Sequence, residues 1–149
     1  MVIGLNGFTL AQAQAQSTND GIDISADNVT VRNGTISGFN SGVSLTGSQG
    51  KVQDLKLLGN QADGVLLFSG NDNAVVNCSI IGVGNERPGN FGILVRSGTG
   101  DLVKDKQVSE LAGGIDSSTG SGCGIIHNSV ANSFRGLNMS NSDYYQGNG

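Results

Sequence analysis

Gly64-Val-Leu-Leu-Phe68 decides how this chain is read. A glycine is followed by an inward aliphatic, an outward residue and a second inward position. The pattern returns as Gly21-Ile-Asp-Ile24, Gly42-Val-Ser-Leu45, Gly92-Ile-Leu-Val95, Gly114-Ile-Asp-Ser117 and Gly136-Leu-Asn-Met139. The steps from glycine to glycine are 21, 22, 28, 22 and 22 residues. A unit of this size cannot bury its apolar side alone and must stack on its neighbours, so the period means a repeat architecture.

A second series runs in step with the first and pairs aliphatics: Leu5/Leu10, Val31/Ile36, Val52/Leu57, Val75/Ile80, Val103/Val108 and Ile125/Val130. Two residues after the first member of each pair stand Gly7, Asn33, Asp54, Asn77, Asp105 and His127. Asn and Asp tolerate the left-handed backbone and bond to nearby backbone groups, so they suit a tight turn between two short strands. Stacked one above another, they form a polar ladder. Short strands bounded by Gly, with no helical period, predict an all-β parallel solenoid of about six coils with a ~22-residue period. A leucine-rich repeat fits the same period, but leucines are few and no unit carries an amphipathic helix.

With these two series in view, the chain resembles the right-handed parallel β-helix family, the single-stranded architecture shared by pectate lyases, polygalacturonases, phage tailspikes and alginate epimerases. The resemblance runs over residues 4–149 and fits a fragment or a minimal member. It implies a right-handed coil, the usual hand of parallel crossovers. Family members usually carry an amphipathic helix capping the N-terminal end of the core, and none is visible in this sequence.

Composition agrees. The chain has 149 residues with 25 Gly, one Pro, no Trp and 13% charged residues, which describes one turn-rich domain spanning 1–149. Six coils at about 4.8 Å each make a rod of roughly 25 to 30 Å. About twenty inward aliphatics, each worth roughly 1.5 to 3 kcal/mol when buried, supply its core. A net charge of −4 argues against nucleic acid as a partner, which requires a basic patch. No apolar run is long enough to span a membrane as a helix. One His and two scattered Cys predict no metal site. Cys78 and Cys123 hold non-equivalent places two units apart, which predicts two free thiols.

Along the chain, Ala11-Gln-Ala-Gln-Ala-Gln16 has the small residues of a signal-peptide end. No basic region precedes it, and Asn6 and Gly7 break the apolar run, so it is read as a loop or short helix before Gly21. A secreted or cell-surface location would require further residues ahead of Met1, and the compartment stays open. Asn28-Val-Thr30 and Asn33-Gly-Thr35 match a glycosylation pattern but are read as turn and strand residues. The fourth repeat is six residues long of period, and the excess falls in an inserted loop at about 82–91 containing Pro88. Proline cannot donate to a ladder, so this segment leaves the sheet. Asp101, Lys104, Asp105 and Lys106, with Glu110 behind them, are read as a solvated edge turn.

The outward positions of the glycine series are Asp23 and Ser25, Ser44 and Thr46, Leu66 and Phe68, Leu94 and Arg96, Asp116 and Ser118, Asn138 and Ser140. Leu66, Phe68 and Leu94 form an apolar patch that a solitary rod should avoid. Three readings stay open: Phe91 and Val83 of the inserted loop cover it, a second subunit covers it, or it is a sugar-stacking platform with Arg96 beside it. These four residues are the candidate ligand or interface site.

The family resemblance sets what catalysis would require. Its lyases cluster acids around calcium with an Arg or Lys base, and here the outward acids Asp23 and Asp116 lie four coils apart. Its hydrolases use paired carboxylates, and no Asp-Asp pair or Gly-His-Gly motif is present. Arg96, Asp116 and His127 are the only catalytic set to propose, and His127 is more simply a turn residue. No cofactor is expected, calcium entering only for a lyase. The expected role is a noncatalytic structural, assembly or adhesion module; the alternative is a carbohydrate-binding or polysaccharide-active β-helix. Neither end shows an obvious cap, which predicts self-association as a dimer, either end to end or through the patch.

Overall fold

A computed structural model describes residues 1–13, 18–82, 90–140 and 143–149. Among these residues there is no helix, and every strand pairing is parallel. Six strands, β3 (Ile22–Ile24), β5 (Val43–Leu45), β7 (Asp63–Leu67), β10 (Phe91–Val95), β13 (Gly113–Ser117) and β16 (Arg135–Met139), stack in chain order as one sheet. They are the glycine series. The eleven other strands form the second sheet: β1 (Val2–Gly4), β2 (Thr9–Ala11), β4 (Thr30–Ser37), β6 (Lys51–Leu58), β8 (Ala74–Val76), β9 (Ser79–Ile81), β11 (Leu102–Lys104), β12 (Gln107–Ser109), β14 (Gly124–Ile126), β15 (Ser129–Ala131) and β17 (Tyr144–Gln146). The chain is therefore a parallel β-solenoid of about six turns.

The second sheet bends at the column Asn33, Asp54, Asn77, Asp105 and His127, all at φ between 50° and 60°. This is the left-handed region, where Asn and Asp lose least. A second corner, at Asn28, Gln49, Asp72, Gly100 and Gly122, also has positive φ throughout. The nearly constant spacing in sequence is thus the spacing of corners. Asn28 and Asn33 of the glycosylation-like motifs both take this turn conformation.

The core is filled in register. Val65, Ile93 and Ile115 pair in succession and are buried, as are Val75, Val103 and Ile125 on the second sheet. Three expectations need correction. Leu137, placed in the buried column, is 38% exposed where Ile115 is 1%, since β16 lies last in its sheet and no described strand pairs beyond it. Leu5 is not the first-turn equivalent of Val31: Ile3 pairs with Val31 and Leu10 with Ile36, and the longer turn between Ile3 and Leu10 lets Leu5 fill the space above Gly34, where an added Cβ would strike the Leu5 Cβ. Asp101 and Lys106 are not on a solvated edge: both are buried.

Their burial follows from the corners. The residue after each left-handed corner points inward, giving the column Gly34, Leu55, Cys78, Lys106, Asn128 and Asn148, which changes from apolar to polar along the rod. Asn128 Oδ1 accepts the Lys106 amide (3.1 Å), and Asn148 Oδ1 accepts the Asn128 amide (2.8 Å). A parallel column holds Asn73, Asp101, Cys123 and Asp143. There Asn73 Oδ1 accepts the Gly50 amide, Asp101 Oδ1 the Asn73 amide and Asp143 Oδ1 the Cys123 amide, at 2.8 to 2.9 Å. These side chains serve backbone N–H groups that the ladder leaves free at corners. Cys78 and Cys123 lie in different columns and are free thiols.

Candidate functional site

The outer face of the six-stranded sheet gathers the chemistry-bearing side chains. Alternation along each strand sends Val65 and Leu67 into the core and Leu66 outward, and the register carries this from coil to coil. One row is Asp23, Ser44, Leu66, Leu94, Asp116 and Asn138, each paired with the next. The sequence assigned this row correctly. Leu94 shares the outward register but is only 9% exposed and stands outside the main core cluster.

Past the end of these strands Phe68 is 44% exposed, and the Arg96 guanidinium lies over its ring at 5.7 Å from the centroid. Stacking on the ring supports a planar cation while leaving its N–H donors directed elsewhere. In the next coil Asp116 is held firmly: Oδ1 accepts the Ser118 amide (2.9 Å) and hydroxyl (2.6 Å), and Oδ2 accepts Asn138 Nδ2 (3.0 Å). That carboxylate is occupied as an acceptor and positions Ser118 and Asn138.

A third outward row precedes the glycines: Asp63, Phe91, Gly113 and Arg135, paired in that order. Phe91 is the first residue of β10, and its ring rests on Gly113, where any Cβ would collide with it. It thus belongs to the sheet rather than to a covering loop; Val83 and most of the inserted loop lie outside the described residues. Asp63 is nearly buried, and one of its oxygens accepts the Phe91 amide (3.2 Å). Burial pushes its carboxyl up to about 7, with the Phe91 N–H and the Arg96 charge pulling the other way. The sequence reading missed Asp63 because it followed only positions after each glycine. The same alignment, read one residue earlier, exposes the row.

Arg96 and Asp116 therefore share one face in neighbouring coils, as do Leu66, Phe68 and Leu94. His127 does not join them. It sits at the corner between β14 and β15 in the other sheet, with Nδ1 3.9 Å from Asp105 Oδ1, in the same ladder where Asn77 Nδ2 donates to Asp54 Oδ1 (2.7 Å).

Calcium does not fit the donors of the outer face. Asp63 and Asp116 stand two coils apart, about 10 Å, and both Asp116 oxygens already accept hydrogen bonds. Among the described residues no three His, Cys, Asp or Glu are grouped to hold a metal ion.

A family model described as the right-handed β-helix region matches residues 6–144. The chain belongs to this family, a class defined by the coil and not by one chemistry. No curated protein matches it in sequence. Among solved structures it is similar to an alginate lyase from Paenibacillus sp. strain FPU-7, with a TM-score of 0.66 and 15% identity over 85% of this chain and 48% of that one. The chain thus spans about half the length of that enzyme, and at this identity the likeness is one of fold.

Proposed function

We propose that this β-helix is a noncatalytic module that binds a polysaccharide lengthwise across the outer face of its six-stranded sheet. The observation that carries this is the exposed Phe68 ring backed by Arg96. An aromatic face accepts the C–H side of a sugar ring, and a stacked guanidinium donates to hydroxyls or a uronate carboxylate. Asn138, Arg135 and Ser118 on the following coils extend the polar surface in the direction a chain would run. The similarity to an alginate lyase points to the same class of ligand.

The binding reading is preferred over lyase or hydrolase action because the acids on this face do not converge and the only histidine is on another face. A glycan array with a polysaccharide-depletion assay tests it: retention on at least one polysaccharide, lost in Phe68→Ala, is expected. Release of unsaturated or reducing sugar ends, abolished by Asp116→Ala, would instead establish catalysis. A second reading, assembly of like chains through the outer sheet face, is favoured by the exposed Phe68 beside the half-buried Leu66.

A further inference from the structure

Lys106 and Cys78 occupy one position in successive coils. Val76 pairs with Lys104 and Ser79 with Gln107, which brings the two intervening inward side chains level in the corner column. The Gln107 amide donates to the Cys78 carbonyl at 3.2 Å, fixing that register. Both side chains are buried, Lys106 to 2% exposure, and its Nζ makes no hydrogen bond of good geometry. The Cys78 sulfur is weakly engaged, 3.4 Å from the Val76 carbonyl oxygen and 3.8 Å from that of Val52. An amine with no oxygen acceptor beside a thiol with only weak ones is unusual inside a solenoid, where this position is elsewhere Leu55 or a bonded asparagine.

We propose that Cys78 and Lys106 form a covalent cross-link through one oxygen, Nζ–O–Sγ, when the protein meets hydrogen peroxide. Two peroxide molecules balance the step. The first converts the Cys78 thiol to a sulfenic acid and leaves as water. The second oxidises the Lys106 amine to a hydroxylamine, again releasing water. Condensation of the two hydroxyl-bearing groups expels a third water and closes the bridge. Sulfur and nitrogen each lose two electrons, and each peroxide gains two.

The surroundings favour this. An open groove of about 350 Å³ at the same corner, lined by Asp54, Asn77, Cys78, Ser79, Asp105 and Gln107 among others, gives a small polar oxidant an approach. Burial lowers the Lys106 amine to about 8, with the Cys78 thiol and the carboxylates Asp105 and Asp54 opposing that fall. Mild alkali therefore supplies the neutral, nucleophilic amine. Burial raises the thiol, which works against its oxidation; the neighbouring lysine charge offsets part of this, and mild alkali the rest. The link would join the coil before the inserted loop to the coil after it, stapling the rod where its period is broken, and would remove a buried charge.

Peptide mapping of the intact protein after peroxide treatment at mildly alkaline pH tests the proposal. Arg96 lies between the two residues, so trypsin separates them unless they are linked. The expected product is a joined peptide heavier by one oxygen and lighter by two hydrogens, lost on dithiothreitol treatment, with a melting midpoint that rises on oxidation and falls back on reduction. Lys106→Met should give no joined peptide. Cys78 recovered as sulfinic or sulfonic acid with Lys106 unmodified, a joined peptide lacking the oxygen, or no modification of either residue would each overturn it.

Discussion

Arg96 lies across the face of the Phe68 ring, one coil farther along the rod, with its guanidinium carbon 5.7 Å from the ring centroid. Both side chains stand outside the core cluster, so the pair contributes little to folding. An exposed cation–π contact is worth roughly 0.5 to 1 kcal/mol. Phe68→Ala and Arg96→Ala should therefore leave the circular dichroism spectrum unchanged and the melting midpoint nearly so. Binding to the polysaccharide found by the array should weaken about tenfold in each, or about 1.4 kcal/mol. Calorimetric titration reads this, and full affinity in both variants would remove the outer face as the binding site.

Val65 is fully buried between Val43 and Ile93. Val65→Asp would place a carboxylate with no partner between two coils, costing several kcal/mol even after protonation. Loss of cooperative unfolding and of soluble expression is expected. Leu66→Asp, one residue along but facing outward, should stay folded. The contrast between adjacent positions tests the register directly.

Lys106 offers the opposite case, a residue whose removal should help. Folding lowers its amine from 10.5 to about 8, so the unfolded chain holds the proton more tightly. Below about pH 8 the cost is present in full, about 3 kcal/mol. It is relieved as pH rises toward 10.5. Lys106→Met fills the same column without the charge and should raise the denaturation midpoint at pH 7, with the gain over the parent shrinking at pH 10. An equal gain at both pH values would mean that Lys106 is not charged in the folded state at pH 7.

The coil was legible in the sequence because each corner requires a left-handed residue and each flank requires an aliphatic, so Asn33, Asp54 and Asn77 announce their own backbone. The same logic found the outer row through Leu66, Leu94 and Asp116. It failed where geometry departs from one template. Leu5 was misaligned because the first turn is longer than the others. Lys106 and Asp101 were read as surface charges because composition speaks for exposure, whereas the residue after a corner points inward whatever its type. Asp63 went unnoticed because it precedes its glycine and so falls outside the positions that the repeat pattern marks.

Acidity should act through two buried carboxyls. Burial raises Asp63 to about 7 and Asp101 to about 6, both from 3.8. The folded chain thus holds more protons than the unfolded one between about pH 4 and pH 7, so stability falls as pH rises through that window. Asp143 works the other way: burial would raise it, but its bonds from Ser117, Cys123 and Ser140 outweigh that and leave it lowered, so its contribution is lost only at lower pH. Urea midpoints at pH 5 should exceed those at pH 8, and Asp63→Asn should flatten most of the difference. A midpoint that rises from pH 5 to pH 8 would show that these groups are ionised at little cost.

The last expectation concerns contact between rods. Phe68 is 44% exposed on the outer face of the six-stranded sheet, Leu66 beside it is half-buried, and Leu94 follows Leu66 in the same outward row. An exposed aromatic next to a second apolar side chain is a surface that a copy of the chain can cover. Sedimentation at micromolar concentration should show a species heavier than the monomer, reduced to monomer by Phe68→Lys. Such a contact would compete with a glycan, so adding the polysaccharide found by the array should shift the heavier species toward the monomer. A strictly monomeric parent would dismiss the assembly reading and leave the outer face to the glycan alone.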